Sequence, residues 1–125
     1  MIIEHFKENI SIDNIEELDS VLRIKAEGNV NEFWINNDRD YPCMCISTNG
    51  DYAHVHYFGN EGELGFQTIG NLKLDKEIYT FYTNNNSEII EVPSEYVVDI
   101  NTAIELAKEF FVSNELPKEI EWDEL

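Results

Sequence analysis

The stretch CMCISTNGDYAHVHY, residues 43–57, decides how the middle of the chain is read. Asn49-Gly50 stands near its centre, with two cysteines before it and two histidines after it. Asn-Gly is the strongest short-range signal for a two-residue hairpin turn, because a type I′ turn needs positive φ at both central positions. With that dipeptide at the centre, Thr48 faces Asp51, Cys45 faces His54 and Cys43 faces His56. Side chains alternate faces along a strand, so Cys43, Cys45, His54 and His56 share one face, with cross-strand neighbours about 5 Å apart. Thiolate and imidazole are zinc ligand types. The spacing argues against zinc, however. Structural zinc draws its cysteine pairs from tight C-x2–4-C knuckles that wrap the ion, and a C-x-C pair on a flat strand forms no such loop. Cysteine is also among the most commonly buried residue types. The expectation is a hairpin whose face packs, with Cys43, Cys45, His54 and His56 as the zinc candidates to be examined.

Outward from this hairpin, the chain from Gly28-Asn29 to Pro93 reads as short strands separated by turn residues. EFWIN (32–36) comes first, followed by the polar loop NNDRDYP (36–42), whose Pro42 keeps Tyr41 extended. After CMCIST (43–48) and DYAHVHYF (51–58), the turn GNEGE (59–63) leads into LGFQTIG (64–70). EIYTFYT (77–83) and SEIIEV (87–92) form a last hairpin around Asn84-Asn85-Asn86, a residue type that tolerates the left-handed region. Upstream, IIEHFKENISI (2–12) reads as a further strand. Asp13-Asn14-Ile15-Glu16 is a capping box opening a helix with Ile15, Leu18, Val21 and Leu22 on one face, expected to run to about Ala26. Downstream, Thr102-Ala103-Ile104-Glu105 is a second capping box. It precedes an apolar stripe of Ala103, Leu106, Ala107, Phe110 and Phe111. Asn114 suits the left-handed position after that helix, and Pro117 prevents its continuation. The fold class is α+β: a largely antiparallel sheet of about six short strands with two main helices packed on it, in one domain over residues 1–125.

Composition narrows the function. There are 26 Asp and Glu against 8 Lys and Arg, a formal net charge of −18, yet 42% of residues are hydrophobic, so the chain is not an extended acidic tail. Such a surface repels nucleic acid and anionic lipid and attracts basic partners at salt-sensitive rates. Two cysteines at i, i+2 make a poor disulfide framework and fit a reducing compartment. The start of the chain shows no signal-peptide pattern, and no apolar run is long enough for a membrane span. The expectation is a soluble cytoplasmic protein.

Catalytic chemistry is poorly represented. No serine lies in a G-x-S-x-G elbow. A Cys45–His54 pair lacks a nearby positive group to lower the thiol pKa. GNEGELG (59–65) carries two glutamates and no lysine, so it is no phosphate loop. The zinc-deaminase signature H-x-E with P-C-x-x-C is missed by both HVH and PCMC. No cofactor is implied. The remaining class is a protein that binds another protein, through exposed aromatics beside acids. The candidate loops hold Asp38, Asp40 and Tyr41 in one and Glu61 and Glu63 in the other.

A resemblance sharpens this reading. FWI (33–35), Tyr41-Pro42 before a strand, AHVHYF (53–58), a glycine-containing turn, GF (65–66) and IG (69–70) recur in order. EVPSEYVVDINTAIELAKEFFVSNELPKEIEW (91–122) completes the pattern with a Phe pair, a turn, Leu-Pro and a closing Ile-x-Trp. Together these resemble the first-described immunity-protein family of bacterial polymorphic toxin systems, often paired with deaminase-superfamily toxins. Asn114 departs from the glycine usual after that helix. The resemblance implies a non-enzymatic antidote that binds a basic, nucleic-acid- or nucleotide-targeting toxin in the cytoplasm and occludes its cationic cleft. Of the matched residues, Trp34, Tyr41, Pro42, Phe110, Leu116, Pro117 and Trp122 are expected to determine the fold, and the polar loops to make the contacts. The alternatives are an acidic nucleic-acid mimic that inhibits a DNA-binding protein, and a small metal- or thiol-dependent protein using Cys43, Cys45, His54 and His56.

Overall fold

Seven strands follow one another by antiparallel pairing into a single sheet. In the computed structural model, which describes residues 1–6 and 8–125, the elements are β1 (Ile2–His5), β2 (Asn9–Ser11), α1 (Ile15–Leu22), β3 (Val30–Asn36), β4 (Cys43–Asn49), β5 (Tyr52–Phe58), β6 (Phe66–Thr68), β7 (Ile78–Thr83), β8 (Glu88–Pro93), β9 (Val98–Asp99), α2 (Ile100–Ser113) and β10 (Trp122–Glu124). The sheet order is β10-β6-β5-β4-β3-β1-β2, with β9 pairing β5, while β7 and β8 form a separate two-stranded sheet. The α+β class and the largely antiparallel sheet are as expected; the strands are more numerous. The stretch expected as a first strand splits into β1 and β2, and its Lys7 lies outside the described residues. β9 and β10 carry two and three residues, too short for an alternating pattern to register.

Alternation divides the sheet into two unlike faces. Ile3, Phe33, Ile35, Met44, Ile46, Ala53, Val55 and Tyr57 point to the helices. There they form one buried core with Leu18, Val21 and Leu22 of α1 and Ala103, Ile104, Leu106, Ala107 and Phe110 of α2. The Phe110 ring meets Tyr57 edge-on at 6.0 Å. The helices are tied to each other at their surface by Lys108 Nζ to Asp19 Oδ2 at 2.9 Å.

The helix ends differ in detail from expectation. Asn14, not Asp13, caps α1, accepting from the Glu17 N–H at 2.9 Å, while Glu17 Oε2 accepts from the Asp13 N–H at 3.0 Å. The cap therefore sits one residue later. α1 stops at Leu22, short of Ala26, because outside partners take the next backbone groups. The Asn31 amide donates to the Ile24 carbonyl at 3.0 Å, and the Ala26 N–H donates to the Val30 carbonyl at 2.8 Å. Asp99 caps α2 by accepting from the Thr102 N–H at 2.7 Å, so this helix opens earlier than the Thr102 box. Asn114 ends it at φ 55°, in the left-handed region. Asn84, Asn85 and Asn86 likewise turn β7 into β8 with φ of 52°, 57° and 70°.

The central hairpin forms, but its register is shifted by two residues. Asn49 pairs with Tyr52, leaving Gly50-Asp51 at the turn, so Cys45 faces His56, Ser47 faces His54 and Cys43 faces Phe58. The turn is set from outside: the Gly50 N–H donates to the Asn29 carbonyl at 3.0 Å, and Lys25 Nζ donates to the Gly50 carbonyl at 2.8 Å. A shift of two preserves the face, so Cys43, Cys45, His54 and His56 do share one.

Candidate protein-binding face

That shared face is the second side of the sheet, opposite the helices. β3 contributes Glu32, Trp34 and Asn36 to it, β4 Cys43, Cys45 and Ser47, and β5 His54, His56 and Phe58, as the pairing registers require. The β7–β8 hairpin covers part of it. Asn49 Nδ2 donates to the Thr80 carbonyl at 2.8 Å, Tyr79 meets Tyr52 at 5.1 Å, and Phe81 meets His54 at 6.3 Å. Phe81, Val92 and Val97 form a small second core beneath this hairpin.

Beyond the hairpin the face is open and aromatic. His56 stacks on Phe58 at 4.1 Å, and Phe58 stacks on Trp34 at 5.9 Å. Trp34 is 40% exposed and Tyr41 37%. Two concavities meet at Trp34. One, of about 390 Å³, is lined by Glu4, Trp34, Asn36, Asp40, Tyr41 and Glu61 among others. The other, of about 550 Å³, brings Glu4, Glu32, Trp34 and Glu88 together. A larger concavity of about 690 Å³ on the helix side also carries acids. There, however, Glu109 accepts from the Lys118 N–H, and Glu105 and Asp19 are bridged by Lys108. Lys108 offsets part of its charge.

Of the sequence-derived contact candidates, Asp40, Tyr41 and Glu61 converge on the first concavity. Asp38 is exposed in the same loop as Asp40 without lining it, and exposed Glu63 accepts from Asn60 Nδ2 at 2.9 Å. Among the matched positions, Phe110 is fully buried and Pro117 buried. Leu116 and Trp122 are half-buried, with Trp122 Nε1 donating to the Pro117 carbonyl at 2.7 Å. Pro42 is half-buried in the loop before β4. Trp34 is instead the most prominent aromatic of the open face. Glu4, Glu32 and Glu88 were not singled out from sequence, although the alternation of Phe33 and Ile35 with Glu32 and Trp34 carries the signal.

The Cys45 thiol and the His54 and His56 imidazoles are occupied by internal bonds. Cys45 Sγ donates to Glu32 Oε2 at 3.8 Å, His54 Nε2 donates to Gln67 Oε1 at 2.9 Å, and His56 Nε2 donates to the Leu64 carbonyl at 2.7 Å. Among the described residues, no three His, Cys, Asp or Glu side chains are arranged to hold a metal ion. Burial, and then the Glu32 carboxylate, pushes the Cys45 thiol well above its ordinary range. Burial and then Asp40 raise Cys43, and burial lowers His54. Protonated thiols beside carboxylates are poor nucleophiles and poor metal ligands. What the face offers is aromatic area ringed by negative charge.

A known protein shares this sequence pattern from end to end. The chain is 28% identical, over 126 aligned positions covering all of both chains, to the double-stranded DNA deaminase immunity protein of Burkholderia cenocepacia (strain H111). No family model matches the chain. The alignment runs the whole length of both chains. Among the described residues, no helix is long and apolar enough to cross a membrane.

Proposed function

We propose that this chain is an immunity protein that binds a cognate deaminase toxin and covers the toxin's cationic substrate cleft, performing no reaction itself. The observation that carries the reading is its end-to-end similarity to a double-stranded DNA deaminase immunity protein. The molecule's own physics supports it. An enzyme acting on DNA needs a positive substrate surface. A partner of net charge −18 with exposed Trp34 and Tyr41 among carboxylates is complementary to such a surface. The whole chain acts as one domain in the cytoplasm of the cell that makes the toxin.

The test is a titration. The toxin encoded beside this chain's gene is assayed on double-stranded DNA with increasing amounts of the purified chain. The expected result is loss of deamination at an equimolar ratio, with a complex surviving gel filtration. Full deaminase activity in excess chain overturns the reading. Inhibition of unrelated DNA-binding proteins at the same concentration would instead favour a general nucleic-acid mimic.

A further inference from the structure

Glu32 is the least expected residue of the open face. It lies mid-strand on β3 opposite Ser47 and is only 7% exposed. A carboxylate taken from water is costly unless a cation and hydrogen bonds replace the solvent. Its carboxylate accepts from the weak Cys45 thiol donor at 3.8 Å, and the ion pairs that tie Arg23 and Lys108 to Asp19 and Glu105 do not reach it. Glu32 nevertheless lines the 550 Å³ concavity, where Glu4 and Glu88 add two further carboxylates and Trp34 presents its indole. Phe58 stacks against that indole and holds it in place.

We infer that this concavity receives an arginine side chain of the partner protein, its guanidinium laid on Trp34 and paired with Glu32. The inference rests on the toxin-binding reading and names the chemistry of the contact. A metal ion does not fit, since no three ligating side chains are suitably placed among the described residues. Arginine fits better than lysine. Its guanidinium is planar and weakly hydrated, so it stacks on an indole while donating in its plane to carboxylates. A buried acid beside an anchored tryptophan also has the composition of a binding hot spot, where a few desolvated groups dominate affinity. On a DNA-acting toxin, the arginine engaged here is one that would otherwise meet phosphate.

The test uses the full chain with N-acetyl-arginine amide as probe and its neutral isostere, N-acetyl-citrulline amide, as control. The readout is the indole N–H resonance of Trp34, assigned by comparison with Trp122→Phe. A saturable shift with the arginine compound is expected. With the citrulline compound, or in Glu32→Gln, the shift should be at least about fivefold smaller, because the charge-assisted pair is gone. No shift with the arginine compound, or equal shifts with both, overturns the inference. Glutamine keeps an acceptor for the Cys45 thiol, and Trp34→Leu provides a second variant that leaves Glu32 intact. In toxin capture, both variants should weaken binding by at least about tenfold. Undiminished capture by both would sink the arginine pocket and leave the immunity reading standing. A Glu32-dependent arginine shift in a chain that captures no toxin would do the reverse.

Discussion

At the scale of single residues, Glu32 sets folding stability against the proposed binding. Holding the Glu32 carboxylate at 7% exposure, accepting from a weak thiol donor, costs the free protein stability. Glu32→Gln should therefore raise folding stability by about 1 kcal/mol at neutral pH, read as a higher urea midpoint, while weakening capture. A lower midpoint would mean that the carboxylate is structural. The thiol gives a pH signature of defined sign. Cys45 is held protonated by burial and Glu32 in the folded state. Once the pH passes the ordinary thiol value of about 8.5, the unfolded chain releases that proton and the folded chain does not. Stability is thus fully present below that value and falls above it. Cys45→Ser should flatten part of this alkaline decline in urea midpoints taken from pH 7 to 10; an unchanged slope would contradict the thiol's burial. His54 acts in the opposite window. Its pKa is lowered by burial, so its contribution is present above about pH 6.5 and is lost as pH falls below that. His54→Gln should remove that acid decline.

At the scale of elements, the helices and the sheet depend on contacts of differing legibility. Phe110 is fully buried between α2 and the sheet, and Phe110→Ala should cost about 3–5 kcal/mol by chemical denaturation. Gly70 follows β6 where the chain passes close under Val97. A side chain there would strike the Val97 carbonyl, and the Gly70 N–H already donates to the Glu95 carbonyl at 2.7 Å. Gly70→Ala should cost about 1–3 kcal/mol as the second core is pushed apart, and a neutral result would show that this crossing is loose. The α2 stripe and its Asn114 end were legible because both depend on neighbours within one helical turn. The two-faced hairpin was legible because face depends only on parity. Its register was not, since Asn29 and Lys25, more than 20 residues upstream, fix the turn at Gly50-Asp51. The end of α1 was hidden because the Ile24 carbonyl, two residues past it, is claimed by the Asn31 amide from the following strand. The candidate site was half legible. Asp40, Tyr41 and Glu61 are exposed acids and an aromatic in polar loops, where a partner is easily imagined. Glu32 and Trp34 sit in a strand, where a tryptophan suggests core, and only the strict alternation with Phe33 and Ile35 turns them outward.

At the scale of the whole molecule, the question is whether negative charge acts everywhere or at one face. A net charge of −18 raises encounter rates with any cation, but steering into a productive complex needs the charge to lie around the docking site. Asp38, Asp40, Glu61 and Glu63 are exposed in the loops beside the first concavity. Replacing all four with Asn or Gln should lower the association rate with the proposed toxin partner by about tenfold at low salt and flatten its dependence on ionic strength, with a smaller effect on dissociation. The matched control replaces Asp13, Glu16, Glu105 and Glu119, exposed on or near the helices, and removes the same charge far from Trp34. If net charge alone drives encounter, the two variants slow association equally. If the open face steers, only the first does, and stopped-flow rates at two salt concentrations separate these outcomes. Equal slowing would leave room for a contact at Trp34 yet remove the acidic loops as its guide. The long-range field would then be a property of the entire surface, with recognition beginning only when the aromatic face is reached.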